Sequence, residues 1–385
     1  MAVYLDYNAS APIDVRVLEH MINIYNNHYG NADSRTHVFG TDAKEIVAEA
    51  RKEIANVLSI DSMDVIFTSG STESNNMAIV GLLDYALETG RNHFITTSIE
   101  HKSVLEAMKY LQSKGCSVDM VAPDESGRIK PKQILDLVTD NTLLVSMMHV
   151  NSETGIIQPI EEVGAALADT KTYFHVDAVQ GYGKFSIIPK NMGIDMLSVS
   201  GHKIHGPKGI GFLYVKNSVR IVPINYGGGQ QKGMRSGTEN VPGIVGLGRA
   251  AEEIYANLDE HVAKLRELKA YFINEVTSKL PDITINGRID EISAPHIISL
   301  SVKGVRAEVL LHALEDREVY VSAGSACASN HPHVSDTLKA IGLDSDLLDS
   351  TIRVSLSVFT TKEEIDHAIE AMCAVIPLLR RYSRQ

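Results

Sequence analysis

Between residues 62 and 215 the chain alternates short apolar runs, rich in β-branched residues, with stretches whose apolar residues recur at helical spacing. The runs fall at 65–67, 94–97, 118–121, 143–147, 173–176, 196–199 and 211–215. Each has the length of a strand, and several are apolar throughout, the pattern of strands covered on both faces. Residues 71–87 set Ile79, Leu82, Leu83 and Ala86 on one face and predict a single helix; 103–111 and 161–167 have the same spacing. A chain that repeats strand, helix, strand in this way folds into a mostly parallel sheet with helices on both sides, an α/β architecture.

After Gly243 the texture changes. Residues 243–257 and 260–279 predict long helices. Beyond Pro281 come a strand at 297–302, a helix at 306–316, a short strand at 319–321 and a helix near 334–341. A strand at 352–356 and a helix at 362–380 follow, with Thr361 as the cap of that helix and Glu364 in the capping-box position. This is an α+β pattern, and no low-complexity linker separates it from what precedes.

Composition excludes several classes. The 385 residues carry 36 Lys and Arg against 48 Asp and Glu, a formal charge of −12. Broad nucleic-acid binding needs a basic surface and is not expected. No apolar run approaches the ~18 residues of a membrane span. Residues 1–12 hold no basic stretch leading into an apolar core, so neither a membrane anchor nor a secretory signal is expected. Three cysteines, Cys116, Cys327 and Cys373, make no disulfide framework and point to reduced thiols in a cytoplasmic protein. The pairs His202/His205 and His331/His333 lack a matching partner set, so no metal site is expected.

Five stretches hold residues suited to chemistry. Thr68-Ser69-Gly70-Ser71-Thr72-Glu73-Ser74-Asn75 follows a predicted strand and opens a predicted helix, where hydroxyls and free amides suit a phosphate. A simple N-cap explains it equally well. His175-Val176-Asp177-Ala178-Val179-Gln180 lies at the carboxyl end of a strand, the edge at which open α/β sheets bind ligands. A carboxylate there holds a ring nitrogen protonated, or merely caps a turn. Ser200-Gly201-His202-Lys203 runs into a glycine-rich turn in which Lys203 suits a Schiff base, while Lys208 is an ordinary surface lysine. Gly227-Gly228-Gly229-Gln230 with Arg235-Ser236-Gly237-Thr238 marks a close backbone approach or a mobile loop. Ser322-Ala323-Gly324-Ser325-Ala326-Cys327-Ala328-Ser329 sets a thiol among small residues, whereas Cys116 and Cys373 suit buried packing.

Taken together, these stretches resemble one family. With Tyr4-Leu5-Asp6-Tyr7, Gly30-Asn31, Ser34-Arg35, Glu100-His101-Lys102, His149-Val150-Asn151 and the segment from Arg353 to Thr361, they follow the order and spacing of the class V branch of fold-type I pyridoxal 5′-phosphate (PLP) enzymes. Within that branch the chain is similar to the cysteine desulfurases of the NifS/IscS type. The resemblance implies a large PLP-binding domain over residues 13–255, with a mostly parallel mixed sheet covered by helices. A smaller α+β domain, from 1–12 and 256–385, would carry the Cys327 loop.

The resemblance also implies roles. Lys203 would hold PLP as a Schiff base and move protons at the substrate. Asp177 would pair with the pyridine nitrogen, Gln180 with the phenolic oxygen, and His101 would stack on the ring and serve in proton transfer. Ser71, Thr72, Ser200 and His202 would bind the phosphate. Thr238 would reach the phosphate of a neighbouring subunit, which implies a homodimer with shared sites. Arg353, assisted by Asn31, would grip the substrate carboxylate through parallel donors. Cys327, as thiolate, would attack the sulfur of bound L-cysteine, leaving L-alanine and a persulfide for a sulfur-acceptor protein.

The sequence departs from the family at four places. Ser152 stands in Asn151-Ser152-Glu153 where relatives carry a second asparagine. Ser355-Leu356-Ser357-Val358 replaces the usual Ser-Leu-Gly-Arg, and Asn330-His331-Pro332-His333 implies a stiffer loop after Cys327. Gln385 comes soon after the last predicted helix, where housekeeping relatives have a longer tail for an iron–sulfur scaffold. The expected acceptor therefore extends from iron–sulfur assembly to a tRNA-thiolation or DNA-phosphorothioation partner. Two other readings stay open: a selenocysteine lyase or cysteine-sulfinate desulfinase of the same branch, and an idle PLP-fold subunit serving as a binding platform. The setting of Cys327 favours the desulfurase, and the presence of Lys203, Asp177, His101, Cys327 and Arg353 together argues against an idle subunit.

Overall fold

The computed structural model describes residues 2–323 and 335–382. The chain opens with strand β1 (Val3–Tyr4) and helices α1 (Val15–Asn27) and α2 (Val38–Leu58). It continues through β2 (Val65–Thr68), α3 (Ser71–Val80), α4 (Leu83–Thr89), β3 (His93–Thr97), α5 (Lys102–Ser113), β4 (Ser117–Val121), α6 (Pro131–Leu135) and β5 (Thr142–Met148). Next come α7 (Ile160–Leu167), β6 (Tyr173–Asp177), β7 (Met196–Ser200), β8 (Gly211–Val215), α8 (Val241–Ala256) and α9 (Leu258–Lys279). The last part holds β9 (Ile283–Ile285), β10 (Ile297–Val302), α10 (Ala307–Glu315), β11 (Val319–Tyr320), β12 (Ser322–Ala323), α11 (Asp336–Ala340), α12 (Ser345–Leu348), β13 (Thr351–Ser355) and α13 (Lys362–Tyr382).

Seven strands form one sheet in the order β2-β8-β7-β6-β5-β3-β4. Strands β7, β6, β5, β3 and β4 are parallel neighbours, while β8 is antiparallel to both β7 and β2. The two reversals cancel, so β2 runs with the parallel set. The carboxyl ends of β2, β3, β5, β6 and β7 therefore share one edge, and that edge is where an open α/β sheet places a ligand.

Side chains alternate across the sheet. Phe67, Ile95, Val145, Leu197 and Phe212 face a core with Val17 of α1, Ile54 of α2 and Val245 of α8. Their sequence neighbours Ile66, Phe94, Leu144, Met196 and Leu213 face the other side, against Met77 of α3 and Met108 of α5. A separate core joins Leu5 and Phe272 to Leu300, Ile352 and Ile369. It lies on the antiparallel sheet β12-β13-β10-β9, and β1 pairs beside it with β11. Among the described residues no helix is long and apolar enough to cross a membrane.

Most elements lie where the sequence pattern sets them, including the box at α13. There the Thr361 N–H donates to the Glu364 carboxylate at 2.9 Å and the Glu364 N–H to the Thr361 hydroxyl at 3.2 Å. Two expectations need correction. The single helix expected over 71–87 is broken into α3 and α4. The Gly81 carbonyl accepts from the Val222 N–H at 2.8 Å and leaves the helical ladder. A Cβ at Gly81 would sit 2.3 Å from the Met77 carbonyl oxygen, so only glycine fits that corner. Helices α1 and α2 are absent from the sequence expectations, although Val17, Met21 and Ile24 lie at i, i+4 and i+7 and are buried.

The sheet also braces the turn after β2. A Cβ at Gly211 would lie 2.4 Å from the Val199 carbonyl oxygen and 2.8 Å from the Gly70 Cα, both backbone atoms. Gly211→Ala is expected to destabilise the fold by about 1–3 kcal/mol, read as a lower urea midpoint.

Candidate active site

The shared strand edge carries the polar groups, beginning with the turn after β2. The hydroxyls of Thr68 and Ser74 pair at 2.8 Å, and Gly70 takes a φ of +151°. Gly70 supplies no side-chain cap to α3, so the first amides of that helix keep their donors for a ligand. Glu73 accepts from the Ser69 N–H and from Arg235 Nε, the latter at 2.9 Å. Against the cost of burial, these bonds hold its carboxyl below the usual range. They also tie the loop that holds Arg235 to this turn. Ser71 and Thr72 share one open cleft with Ser200, His202, Ser10 and Lys208.

Strand β7 ends at Ser200, and a single 3-10 turn, Gly201–Lys203, follows it. Lys203 Nζ donates to the carbonyls of Asn8 and Ala9, the second at 3.0 Å. Beneath it Lys184 Nζ donates to the Lys203 carbonyl at 2.9 Å. Burial, and then the Lys203 charge, lowers Lys184 to about 8. Burial and the charges of Lys203 and Lys208 lower His202 to about 4, so at neutral pH it is an uncharged imidazole.

Strand β6 ends on Asp177, which is only 6% exposed. Its Oδ1 accepts from the Val179 N–H at 3.1 Å and its Oδ2 from Asn75 Nδ2 at 2.8 Å. Gln180 is buried as well, with Nε2 3.4 Å from the Asn8 carbonyl. After β3, His101 caps α5: its Nδ1 accepts from the Ser103 N–H at 3.1 Å. Neighbouring Glu100 is buried, with Oε1 accepting from the Thr97 hydroxyl at 2.6 Å and the Met148 N–H at 2.9 Å.

Arg353 enters from β13 and is 4% exposed. Its Nη1 donates to the Ser152 carbonyl at 3.0 Å, and its Nη2 pairs with Asp6 at 2.8 Å. Among the described residues its Nε is buried without a partner, a donor held for an acceptor. Ser152, the departure from the family pattern, offers its main-chain carbonyl here, which any side chain at that position leaves available. Asn31 is exposed, and its Oδ1 closes a turn on the Asp33 N–H at 3.0 Å. Thr238 is exposed. Cys327 lies outside the described residues, as do His331 and His333.

The aminotransferase class-V family matches this chain over residues 3–368. The chain belongs to that family. The cysteine desulfurase IscS of Rickettsia akari is 40% identical over 385 residues, covering 100% of this chain and 93% of the relative. A solved NifS-like protein superposes with a TM-score of 0.92 at 37% identity, over 98% of this chain and 100% of that one. SspA, solved in complex with cysteine, has a TM-score of 0.81 and 35% identity over 93% of this chain and 100% of that one. The expected architecture, PLP fold type I with a mostly parallel mixed sheet, is the one found.

PLP is the cofactor of this class V fold, and the residues present fit it. A lysine amine and a buried carboxylate stand on adjacent strand ends, beside a cup of hydroxyls and helix amides suited to a phosphate. Six contributors went unremarked individually in the sequence: Asp6, Asn8, Asn75, Glu100, Ser103 and Lys184. Two of them, Asp6 and Glu100, lie inside the motifs that carry the resemblance, and Asn75 lies two residues beyond another, so a signal existed. Asn8, Ser103 and Lys184 are defined by contacts that only folding creates.

Burial pushes the Glu100 carboxyl up from 4.5 to about 8. A folded value above the unfolded one contributes stability that is complete below about pH 4.5 and lost as pH rises through about 8. Glu100→Gln is expected to remove that loss. Urea unfolding of both proteins at about pH 5 and about pH 9 checks it; an equal decline in both would show that Glu100 is not a buried acid.

Proposed function

We propose that this chain is a PLP-dependent cysteine desulfurase. It converts L-cysteine to L-alanine and leaves the sulfur on Cys327 as a persulfide, which passes to an acceptor protein. The observation that carries this reading is one sheet edge holding Lys203, Asp177 and the hydroxyl-and-amide cup, with buried Arg353 beside it, its Nε without a partner among the described residues. PLP, when bound, withdraws electrons from the substrate Cα.

The chain's own groups divide the rest of the work. Ser71, Thr72, Ser200 and neutral His202 hold the phosphate with the first amides of α3. Asp177 would keep the pyridine nitrogen protonated, Gln180 would bond the phenolic oxygen and His101 would stack on the ring. Arg353 binds the substrate carboxylate, with Nη2 fixed by Asp6 so that the planar fork presents one geometry, and Asn31 assists it. Lys203 moves the proton at Cα. Cys327 thiolate attacks the substrate sulfur: the carbon–sulfur bond breaks, a sulfur–sulfur bond forms, and protons complete the methyl group of alanine. The balance is one cysteine and one thiol to one alanine and one persulfide, with no outside oxidant.

The chain also acts as a homodimer in this reading, with Thr238 reaching the partner's phosphate. Support comes from α1, where Val15, Leu18, Ile22 and Tyr25 form an exposed apolar stripe beside exposed Tyr29 and Phe39. The two separate cores support a large domain over 13–255 and a smaller one from 1–12 and 256–385. Sparse cysteines, with Cys116 and Cys373 both free, support a cytoplasmic setting. The acceptor belongs to iron–sulfur assembly, tRNA thiolation or DNA phosphorothioation.

Purified protein with PLP is expected to show a visible absorption band that Lys203→Ala lacks. Cys327→Ala is expected to keep the band and lose persulfide formation from L-cysteine. A wild-type protein without the band would defeat the proposal, and turnover of selenocysteine with L-cysteine ignored would assign a lyase instead. Ile22→Asp is expected to shift the sedimenting species from dimer to monomer and to lower PLP retention.

A further inference from the structure

We propose that Asn75 and Ser103 are positioning residues that fix the His101 tautomer with its ring proton on Nε2, and tie that tautomer to the carboxylate of Asp177. The significance of this for catalysis rests on the reading above, in which Asp177 and His101 meet the same ring.

Asn75 is fully buried, with Nδ2 2.8 Å from Asp177 Oδ2 and 2.9 Å from Ser103 Oγ. The reverse amide orientation would set Oδ1 against a carboxylate, acceptor facing acceptor, so the carboxylate fixes which end of the amide points at it. Both hydrogens of Nδ2 are then committed, one to Asp177 and one to Ser103.

The other end of the chain is fixed independently. His101 Nδ1 lies 3.1 Å from the Ser103 backbone nitrogen, a group that only donates, and 2.7 Å from Ser103 Oγ. A proton on Nδ1 would face that amide hydrogen, so Nδ1 is an acceptor. The Ser103 hydroxyl gives its hydrogen to Nδ1, and its oxygen accepts from Asn75. Every hydrogen runs one way, from Asn75 to Ser103 to His101. With Nδ1 closed, the ring's own proton is on Nε2.

A further observation marks Asn75 as more than packing. Its Oδ1 is buried with no partner among the described residues, which an aliphatic side chain of that size would avoid. The two donors of Nδ2 account for an amide at this position. With Nδ1 closed, His101 presents an N–H donor at Nε2. The carboxylate that would pair with the pyridine nitrogen and the imidazole of His101 are set by one amide.

Long-range proton–nitrogen NMR of the full-length chain with histidine nitrogen labelled, with and without PLP, tests this. The His101 signals are assigned by their loss in His101→Gln. A single Nε2–H tautomer is expected in the wild type and in Ser103→Thr, which keeps the hydroxyl. Ser103→Ala and Asn75→Leu leave the Ser103 backbone N–H as the one fixed donor to Nδ1, and both are expected to show a measurable share of the Nδ1–H tautomer beside a majority of Nε2–H. A proton on Nδ1 in the wild type overturns the proposal, and so does a single unchanged tautomer in both disruptive variants. If Asn75→Leu does not fold, the wild type and the two Ser103 variants decide the matter. The PLP-free spectrum reads the relay alone, so failure of the absorption band or of persulfide formation would defeat the proposed function and leave this result standing.

Discussion

Asn8 is the junction on which the site depends. Its carbonyl accepts from Lys203 Nζ and, at 3.4 Å, from Gln180 Nε2. Its N–H donates to the Ser355 hydroxyl at 2.9 Å, and its Nδ2 donates to the Ser152 carbonyl at 2.6 Å. Two residues earlier, Asp6 pairs with Arg353. Thus residues 6–8 bond at once to the turn after β7, to the segment after β5 and to β13. The lysine comes from one apolar core and the arginine from another, so this short segment sets how the two face each other.

Burial gives these polar groups their consequence. Arg353 and Asp6 form a pair in which removing one partner strands a charge, a loss that typically costs about 3–5 kcal/mol in such settings. The pair therefore holds the guanidinium in one orientation as well as neutralising it. Glu100 answers the same condition by staying protonated, and His202 by staying neutral. The cup at Ser71, Thr72 and Ser200 is different: it opens toward solvent and relies on many neutral donors, which a phosphate can reach without a buried cation waiting for it.

Much of this was legible in the residues. The strand runs at 94–97 and 173–176 each fall within a strand that bears a site residue just beyond or at its end, because a strand buried on both faces has to be apolar throughout. The capping box at Thr361 and Glu364 needs only four residues to recognise. Asp177 and Lys203 were visible because a motif at a strand end is local in sequence. By contrast, the break at Gly81 depends on Val222, and nothing in 71–87 signals that partner. The amphipathic spacing of α1 was present but short, and half of its surface is apolar on the exposed side too, which blurs the period.

By itself, then, the amino-acid order determined the α/β alternation, the family and the motifs that hold the candidate site residues, since periodicity and motif spacing are written within a few residues of one another. Only the tertiary structure decided that Asp6 holds Arg353, that Asn8 receives Lys203 and that Asn75 reaches both Asp177 and Ser103. Those contacts join residues 28 to 347 positions apart, and a hydrogen bond over such a separation exists only once packing has set both partners in place.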